Sequence, residues 1–423
     1  MTPMIAAEHH TFKQKALLWA SQFEVCCCLD SNGYTDPYSG FEFLLAAGVN
    51  HQLSALSGIA FQELKALYDT HQNWLFGMLS YDLKNEIEEL SSGHSNHLEF
   101  PDLFFFVPQY LIVIKKGKIE VLIGDQEILT SIESHSANSK EIVKTRINIT
   151  PRLDKATYIS KVEELREHIS KGHIYEVNFC QEFFAENAAI NPFEMYQNLV
   201  QLSPTPFGGF FKIKDKYILS ASPERFLCKR ADRLISQPIK GTSKRSADAA
   251  EDENRKTALR NNTKEQAENV MIVDLVRNDL TKSAVPGTVK VDELFGIYTF
   301  PQVHQMISTI SCQIKPNLHP IDAIRNTFPM GSMTGAPKIR AMELIEQTEV
   351  SRRGIYSGAF GYISPAGDFD FNVVIRSILY NATAKHLSFQ VGGAITYASV
   401  PEDEYAECML KASAMIKTLE SAE

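Results

Sequence analysis

Glu224 and Lys240, sixteen positions apart, are the two side chains of this 423-residue chain best suited to acid and nucleophile chemistry. Glu224 lies in the stretch Ser-Pro-Glu-Arg-Phe (222–226) and Lys240 in Gln-Pro-Ile-Lys-Gly-Thr (237–242). A nearby proline narrows the backbone in each stretch. Gly241 lets main chain come close to a ligand. A carboxylic acid can protonate a departing group while a neutral amine attacks as nucleophile. A lone lysine in a Pro/Gly turn is more often a solvated loop residue, so the pair gains weight only from its surroundings.

Two acidic stripes supply such surroundings. Glu265 and Glu268 are three apart and share a helix face. They lead into 270–276 (Val-Met-Ile-Val-Asp-Leu-Val), which reads as a largely buried helix. On the last helix Glu404, Glu407 and Lys411 flank an apolar face made by Tyr405, Cys408, Ala412, Met415 and Leu419. Each stripe alone is an ordinary solvated edge, and a Glu–Lys pair there contributes about 0.3–0.5 kcal/mol. Together they offer one hard cation an all-carboxylate set without His or Cys, which suits Mg²⁺. The stretch 328–340 is not a phosphate loop, because Pro337 precedes its lysine and no Ser or Thr follows. It does form a turn and a helix start able to cradle an anion. The glycines of 391–395 (Val-Gly-Gly-Ala-Ile) end a strand and permit either close backbone approach or a bulge. Arg376 falls in a Val/Ile-rich strand, so it lies at an edge or is aimed at an anion.

The elements that must position these residues are antiparallel strands and amphipathic helices. Residues 1–150 read as strand-rich, with runs at 23–29 and 103–107, a hairpin 110–114/119–123 and a helix at 61–69. The polar stretch 131–144 marks a connection, dividing an N-terminal region (1–150) from a catalytic region (151–423). Beyond it come a helix over 158–171, stopped by Gly172, and a strand over 174–184. Strands at 207–213, 217–221, 225–229 and 233–236 follow in hairpin order, which favours an antiparallel sheet and an α+β class. Helices open at Thr263 and Pro337, and strands are expected at 360–363, 369–379 and 387–391. Ser399 with Glu402 should cap the final helix.

The composition, 44% hydrophobic and 22% charged, is that of a globular protein. A net charge of −9 disfavours non-specific nucleic-acid or membrane-surface binding. Seven scattered cysteines without a Cys-x-x-Cys pair imply reduced thiols, and Cys26, Cys27 and Cys28 read as one buried strand. No apolar run approaches a membrane span and the first residues lack a signal-like run, so a cytoplasmic location is expected. Dinucleotide fingerprints, zinc motifs and nucleophile elbows are missing, as is a glutamine-hydrolysing cysteine site.

Five motifs in order, at 222–226, 238–242, 267–279, 331–338 and 392–395, resemble those of the chorismate-utilising enzymes. That family includes the anthranilate, aminodeoxychorismate, isochorismate and salicylate synthases. Residues 30–39 and 75–83 are similar to the N-terminal region of the aminodeoxychorismate branch. The resemblance implies two packed antiparallel sheets flanked by helices, a four-layer αββα sandwich to which the N-terminal region contributes. It also implies Mg²⁺ on Glu268 and Glu407, with Glu265 and Glu404 behind them through water. The ring carboxylate of chorismate would rest on the metal and on the Gly392, Gly393 and Ala394 backbone. Arg376, Tyr356 and Lys411 would take the enolpyruvyl carboxylate, Thr242 and Ser332 would line the ring, and Glu224 would protonate the leaving 4-hydroxyl.

Lys240 separates the branches of that family. Anthranilate synthases have Ala at the matching place; aminodeoxychorismate synthases have Lys, whose amine adds at C2 before ammonia attacks C4. Such attack requires a neutral amine, which desolvation and a nearby cation favour. The ammonia would come from a separate glutamine amidotransferase subunit, and the N-terminal region is a candidate tryptophan site. The alternatives are an anthranilate-forming enzyme or a non-catalytic tryptophan-binding subunit. Two positions depart from the family. Glu176 stands where most aminating members have Gln and the water-adding members have a base Lys. Gln305 stands where the family has His, with His304 one residue early and so facing the other way.

Overall fold

The computed structural model describes residues 3–135 and 147–420. Among these, nineteen strands join in one hydrogen-bonded, antiparallel network. The N-terminal strands belong to it: Val25–Asp30 pairs with Phe43–Ala55 on one side and with Phe207–Ile213 on the other. Leu75–Leu79 pairs with Ala359–Ile363. Alternation of side chains sorts residues into two cores on opposite faces of the sheet. Cys27, Leu44 and Ala46 turn into one core with Phe105, Phe211, Ile310 and Phe371. Cys26, Cys28, Phe43 and Leu45 turn into the other. There they meet the apolar faces of helices Lys155–Ser170, Pro192–Leu202 and Pro401–Glu420. All seven cysteines are free and buried. No helix among the described residues is long and apolar enough to cross a membrane.

The hairpin series lies where expected, at Phe207–Ile213, Lys216–Ser222, Arg225–Arg230 and Arg233–Gln237. Other elements differ from expectation for local reasons. Pro3–Ala20 is a helix that carries no clear start signal, yet its Ala16, Leu17 and Trp19 are buried. The two runs at 103–107 and 110–114 form one strand, Leu103–Lys115, because a register shift opposite Val49 and His51 absorbs Pro108. Of the polar stretch 131–144, residues 131–134 belong to helix Glu127–Ser134, and 136–144 lie outside the described residues. The single strand expected at 369–379 is broken into Phe369–Asn372 and Ser377–Asn381. Ser399 does not cap the last helix: its hydroxyl accepts the Thr396 N–H at 3.0 Å.

Candidate active site

Glu224 is held by its backbone on both sides. Its N–H donates to Ser222 Oγ at 3.3 Å, and its carbonyl accepts the Val373 N–H at 3.0 Å. Ser222 in turn donates to the Val373 carbonyl at 2.6 Å. The side chain is buried and shares a cavity of about 20 Å³ with Pro238, Thr327, Met330 and Ser332. Burial pushes its carboxyl up to about 7, against a hydrogen bond from Ser332 and the charge of Lys240. A group in that range is protonated or ionised near neutrality, as a general acid must be.

Lys240 projects from strand Ile239–Lys244, whose pairing with Val303–Gln313 shifts register between Ile239 and Thr242. Gly241 takes φ +88 inside that bulge, a conformation that suits glycine. Lys240 Nζ lies 2.7 Å from Glu176 Oε1, with side chains 11% and 2% exposed. The other oxygen, Glu176 Oε2, is buried and has no hydrogen-bond partner among the described residues. Burial acts to lower the Lys240 pKa, but Glu176, Glu268 and Glu224 outweigh it and raise it. The lowering expected from desolvation is present but outweighed, so at rest Lys240 is an ammonium and must lose a proton before it attacks.

Glu176 opens strand Glu176–Ala185, which alternates chemistry with position. Val177, Phe179 and Phe183 enter the helix-side core. On the other face Glu176 reaches Lys240, Asn178 donates to Cys180 Sγ at 3.2 Å, and Cys180 Sγ meets Tyr356 Oη at 3.3 Å.

The two glutamate-bearing helices come together. Asn262 caps Thr263–Thr281 by accepting the Lys264 and Glu265 N–H groups. Lys264 Nζ then sits 3.9 Å from Glu268 on its own helix and 3.9 Å from Glu404 on Pro401–Glu420. Only one face of 270–276 is buried, with Val270 40% exposed. Burial pushes Glu268 up to about 7, with Glu176 and Glu265 adding to it. Burial also raises Glu265, helped by Glu407, and raises Glu404. Glu407 is lowered: its burial acts upward, but Lys411 at 2.5 Å prevails. As they stand, no three Asp, Glu, His or Cys side chains among the described residues converge tightly enough to hold an ion.

Strand His386–Ile395 brings its glycines to the same place. A Cβ on Gly393 would lie 3.6 Å from Glu404 Oε2, 3.6 Å from Lys411 Nζ and 3.8 Å from Glu407 Oε1. Lys411 also donates to the Gly392 carbonyl at 3.0 Å, and Ala394 pairs across the strand with Asn178. Arg376 does not alternate in a strand; it occupies the break with φ +52, with Tyr356 and Glu407 as electrostatic neighbours. Ser332 is buried beside Glu224. Thr242 is exposed, opposite Gln305. His304 faces away as its register demands, locked between Thr299 Oγ1 and Asp252 Oδ1, each at 3.0 Å.

Sequence reasoning did not single out Lys264 as a bridge or Cys180 as the partner of Tyr356. It also missed Lys338, whose ammonium pairs with buried Asp279 at 2.7 Å and so fastens the 331–338 turn to the Glu268 helix. The i,i+2,i+4 polar series Glu176, Asn178, Cys180 carried a signal for the second of these.

The chain belongs to the chorismate binding enzymes, whose family model matches residues 24–417. It is 31% identical to aminodeoxychorismate synthase component 1 of Escherichia coli over 98% of this chain and 96% of that protein. It is 36% identical to anthranilate synthase component 1 of Bacillus subtilis over 79% of this chain and 61% of that protein. The crystal structure of anthranilate synthase component I from Streptococcus pneumoniae superposes with a TM-score of 0.78 at 28% identity, covering 90% of this chain and 93% of that one.

Proposed function

We propose that the chain aminates chorismate at C4 to 4-amino-4-deoxychorismate, a step toward 4-aminobenzoate and folate, as component I beside a glutamine amidotransferase that supplies ammonia. The observation that carries this is the buried Lys240 side chain, paired with Glu176 and within the electrostatic reach of Glu268 and Glu224, in a chain alike along its length to an aminodeoxychorismate synthase component 1. An anthranilate-forming enzyme has no use for a nucleophile at that place, so Lys240 weighs against the alternative that the Bacillus relative raises. An intact acid, amine and carboxylate set likewise weighs against a non-catalytic subunit.

In this mechanism Arg376, Tyr356 and Lys411 orient the enolpyruvyl carboxylate, while the main chain at Gly392, Gly393 and Ala394 receives the ring carboxylate. Thr242 and Ser332 border the ring. Lys240 attacks C2, and Glu224 gives its proton to the 4-hydroxyl as it departs. Ammonia then bonds to C4 and expels the lysine.

Mg²⁺ suits the donor set. Four carboxylates on two helices offer only oxygen, burial raises three of them, and Lys264 lies 3.9 Å from both Glu268 and Glu404. Glu268 and Glu407 would hold the ion, with Glu265 and Glu404 reaching it through water. When bound, it supplies charge to fix the ring carboxylate. Tryptophan would bind where the N-terminal region meets strand Phe207–Ile213, in the cleft bordered by Asp30, Ser31, Tyr34, Phe41 and Phe207.

Mass spectrometry of products from chorismate, ammonium and Mg²⁺ tests the assignment. Aminodeoxychorismate is expected, with a transient adduct that Lys240→Ala abolishes; anthranilate with pyruvate would overturn it.

A further inference from the structure

An ammonium has no lone pair to attack with, so the proposed chemistry requires a place for one proton of Lys240. We propose that Glu176 is the base that takes this proton, through the 2.7 Å contact between its Oε1 and Lys240 Nζ. This rests on Lys240 acting as the nucleophile.

Three carboxylates act on Lys240, namely Glu176, Glu268 and Glu224, and only Glu176 makes a hydrogen bond to Nζ. Glu224 must keep its own proton for the leaving oxygen. Glu176 is 2% exposed on its side chain, and its Oε2 has no hydrogen-bond partner among the described residues. A buried anion with one oxygen unsatisfied is costly. Moving the proton across the contact neutralises both groups at once, which the dry surroundings favour as substrate expels water.

The protons balance over a cycle. Lys240 passes one to Glu176, and its lone pair forms the N–C2 bond. The two ring double bonds shift along the ring as the C4–O bond breaks, and the oxygen leaves as water with the proton of Glu224. Ammonia then bonds to C4, the double bonds shift back, and the C2–N bond breaks, returning its electron pair to Lys240 as a neutral amine. The surplus proton on the new C4 nitrogen goes to the Glu224 carboxylate, and Glu176 returns its proton to Lys240. Chorismate and ammonia have become product and water, with every group restored.

Glu176→Gln keeps the shape and removes the base, while Glu268 and Glu224 continue to hold Lys240 charged. The adduct is counted by intact-mass spectrometry after mixing with saturating chorismate and Mg²⁺ without ammonia, from pH 6.5 to 9.5. At pH 7 the variant should form it at least about tenfold more slowly, the low end for a lost general base. The deficit should shrink as pH rises, because hydroxide replaces the base. Glu176→Asp, which keeps a carboxylate, should fall between the two and also serves if the Gln variant misfolds. A Gln variant within tenfold of the parent at saturation, whatever its KM, overturns the proposal. No adduct in the unmodified protein overturns the Lys240 nucleophile, and this proposal with it.

Discussion

Arg225 and Asp370 clasp each other through two parallel contacts, Nε to Oδ1 at 2.9 Å and Nη2 to Oδ2 at 3.0 Å. The arginine is fully buried, immediately follows Glu224, and also donates to Gln237 Oε1 at 2.5 Å, three residues before Lys240. Its Nη2 pairs as well with Asp36 of the N-terminal region. One guanidinium therefore ties together the acid, the amine and residues 30–39. Arg225→Ala should lower unfolding stability in urea by about 3–5 kcal/mol, since it strands buried partner charge. Arg225→Lys keeps the charge but not the fork, and should lose roughly half as much. Wild-type stability in the Ala variant would dissociate this cluster from the fold.

The carboxyl of Glu224 sits at about 7 instead of the usual 4.5 because it is buried. Its acid form is the useful one, so turnover at saturating substrate should decline as pH rises through about 7. The same shift bears on stability. The folded state holds this proton more tightly than the unfolded chain. Its contribution is therefore fully present below pH 4.5, is lost as pH rises from 4.5 to about 7, and is constant above. Glu224→Gln should thus be more stable than the parent at pH 8 by an amount on the order of 3 kcal/mol, and at least a hundredfold slower. Equal stability of the two proteins at pH 8 would sink the assignment of this shift.

Burial raises the carboxyls of Glu265, Glu268 and Glu404, and a divalent cation among them would favour their ionised forms. Mg²⁺ added to the substrate-free protein at about a hundred times its Kd should stabilise it by about 2.7 kcal/mol, or about 3 °C in Tm. Glu268→Gln should abolish that shift, and EDTA should stop chorismate consumption. A Tm indifferent to Mg²⁺, with turnover surviving EDTA, would remove the metal from the proposal.

Local signals carried much of this site, and long-range pairings did not. The hairpin strands between Phe207 and Gln237 were readable because turn residues and alternation are local properties. Glu265 with Glu268, and Glu404 with Glu407, could each be placed on a helix face from spacing alone. That the two helices meet, with Lys264 between them, depends on the packing of the whole sandwich. The Glu176–Lys240 contact joins positions 64 apart and follows from two strands converging, one of them bulged at Gly241. Arg376 misled because Val and Ile flank it as in a strand, whereas its left-handed backbone turns the chain between two strands.

Gly392 and Gly393 are adjacent and should behave oppositely. A Cβ on Gly392 would press into Cys180 Sγ and the Phe179 carbonyl on the paired strand, where main chain cannot yield. Gly392→Ala should therefore cost about 1–3 kcal/mol of stability by forcing the strands apart. A Cβ on Gly393 meets no atom closer than 3.6 Å, and the atoms it meets are Glu404, Lys411 and Glu407. Gly393→Ala should leave unfolding stability within about 0.5 kcal/mol of the parent. It places a methyl where the ring carboxylate is to rest, so KM for chorismate should rise at least tenfold. Urea unfolding and steady-state kinetics on both variants separate the cases. If Gly393→Ala binds chorismate as the parent does, the carboxylate lies elsewhere and the proposed orientation of the ring fails with it.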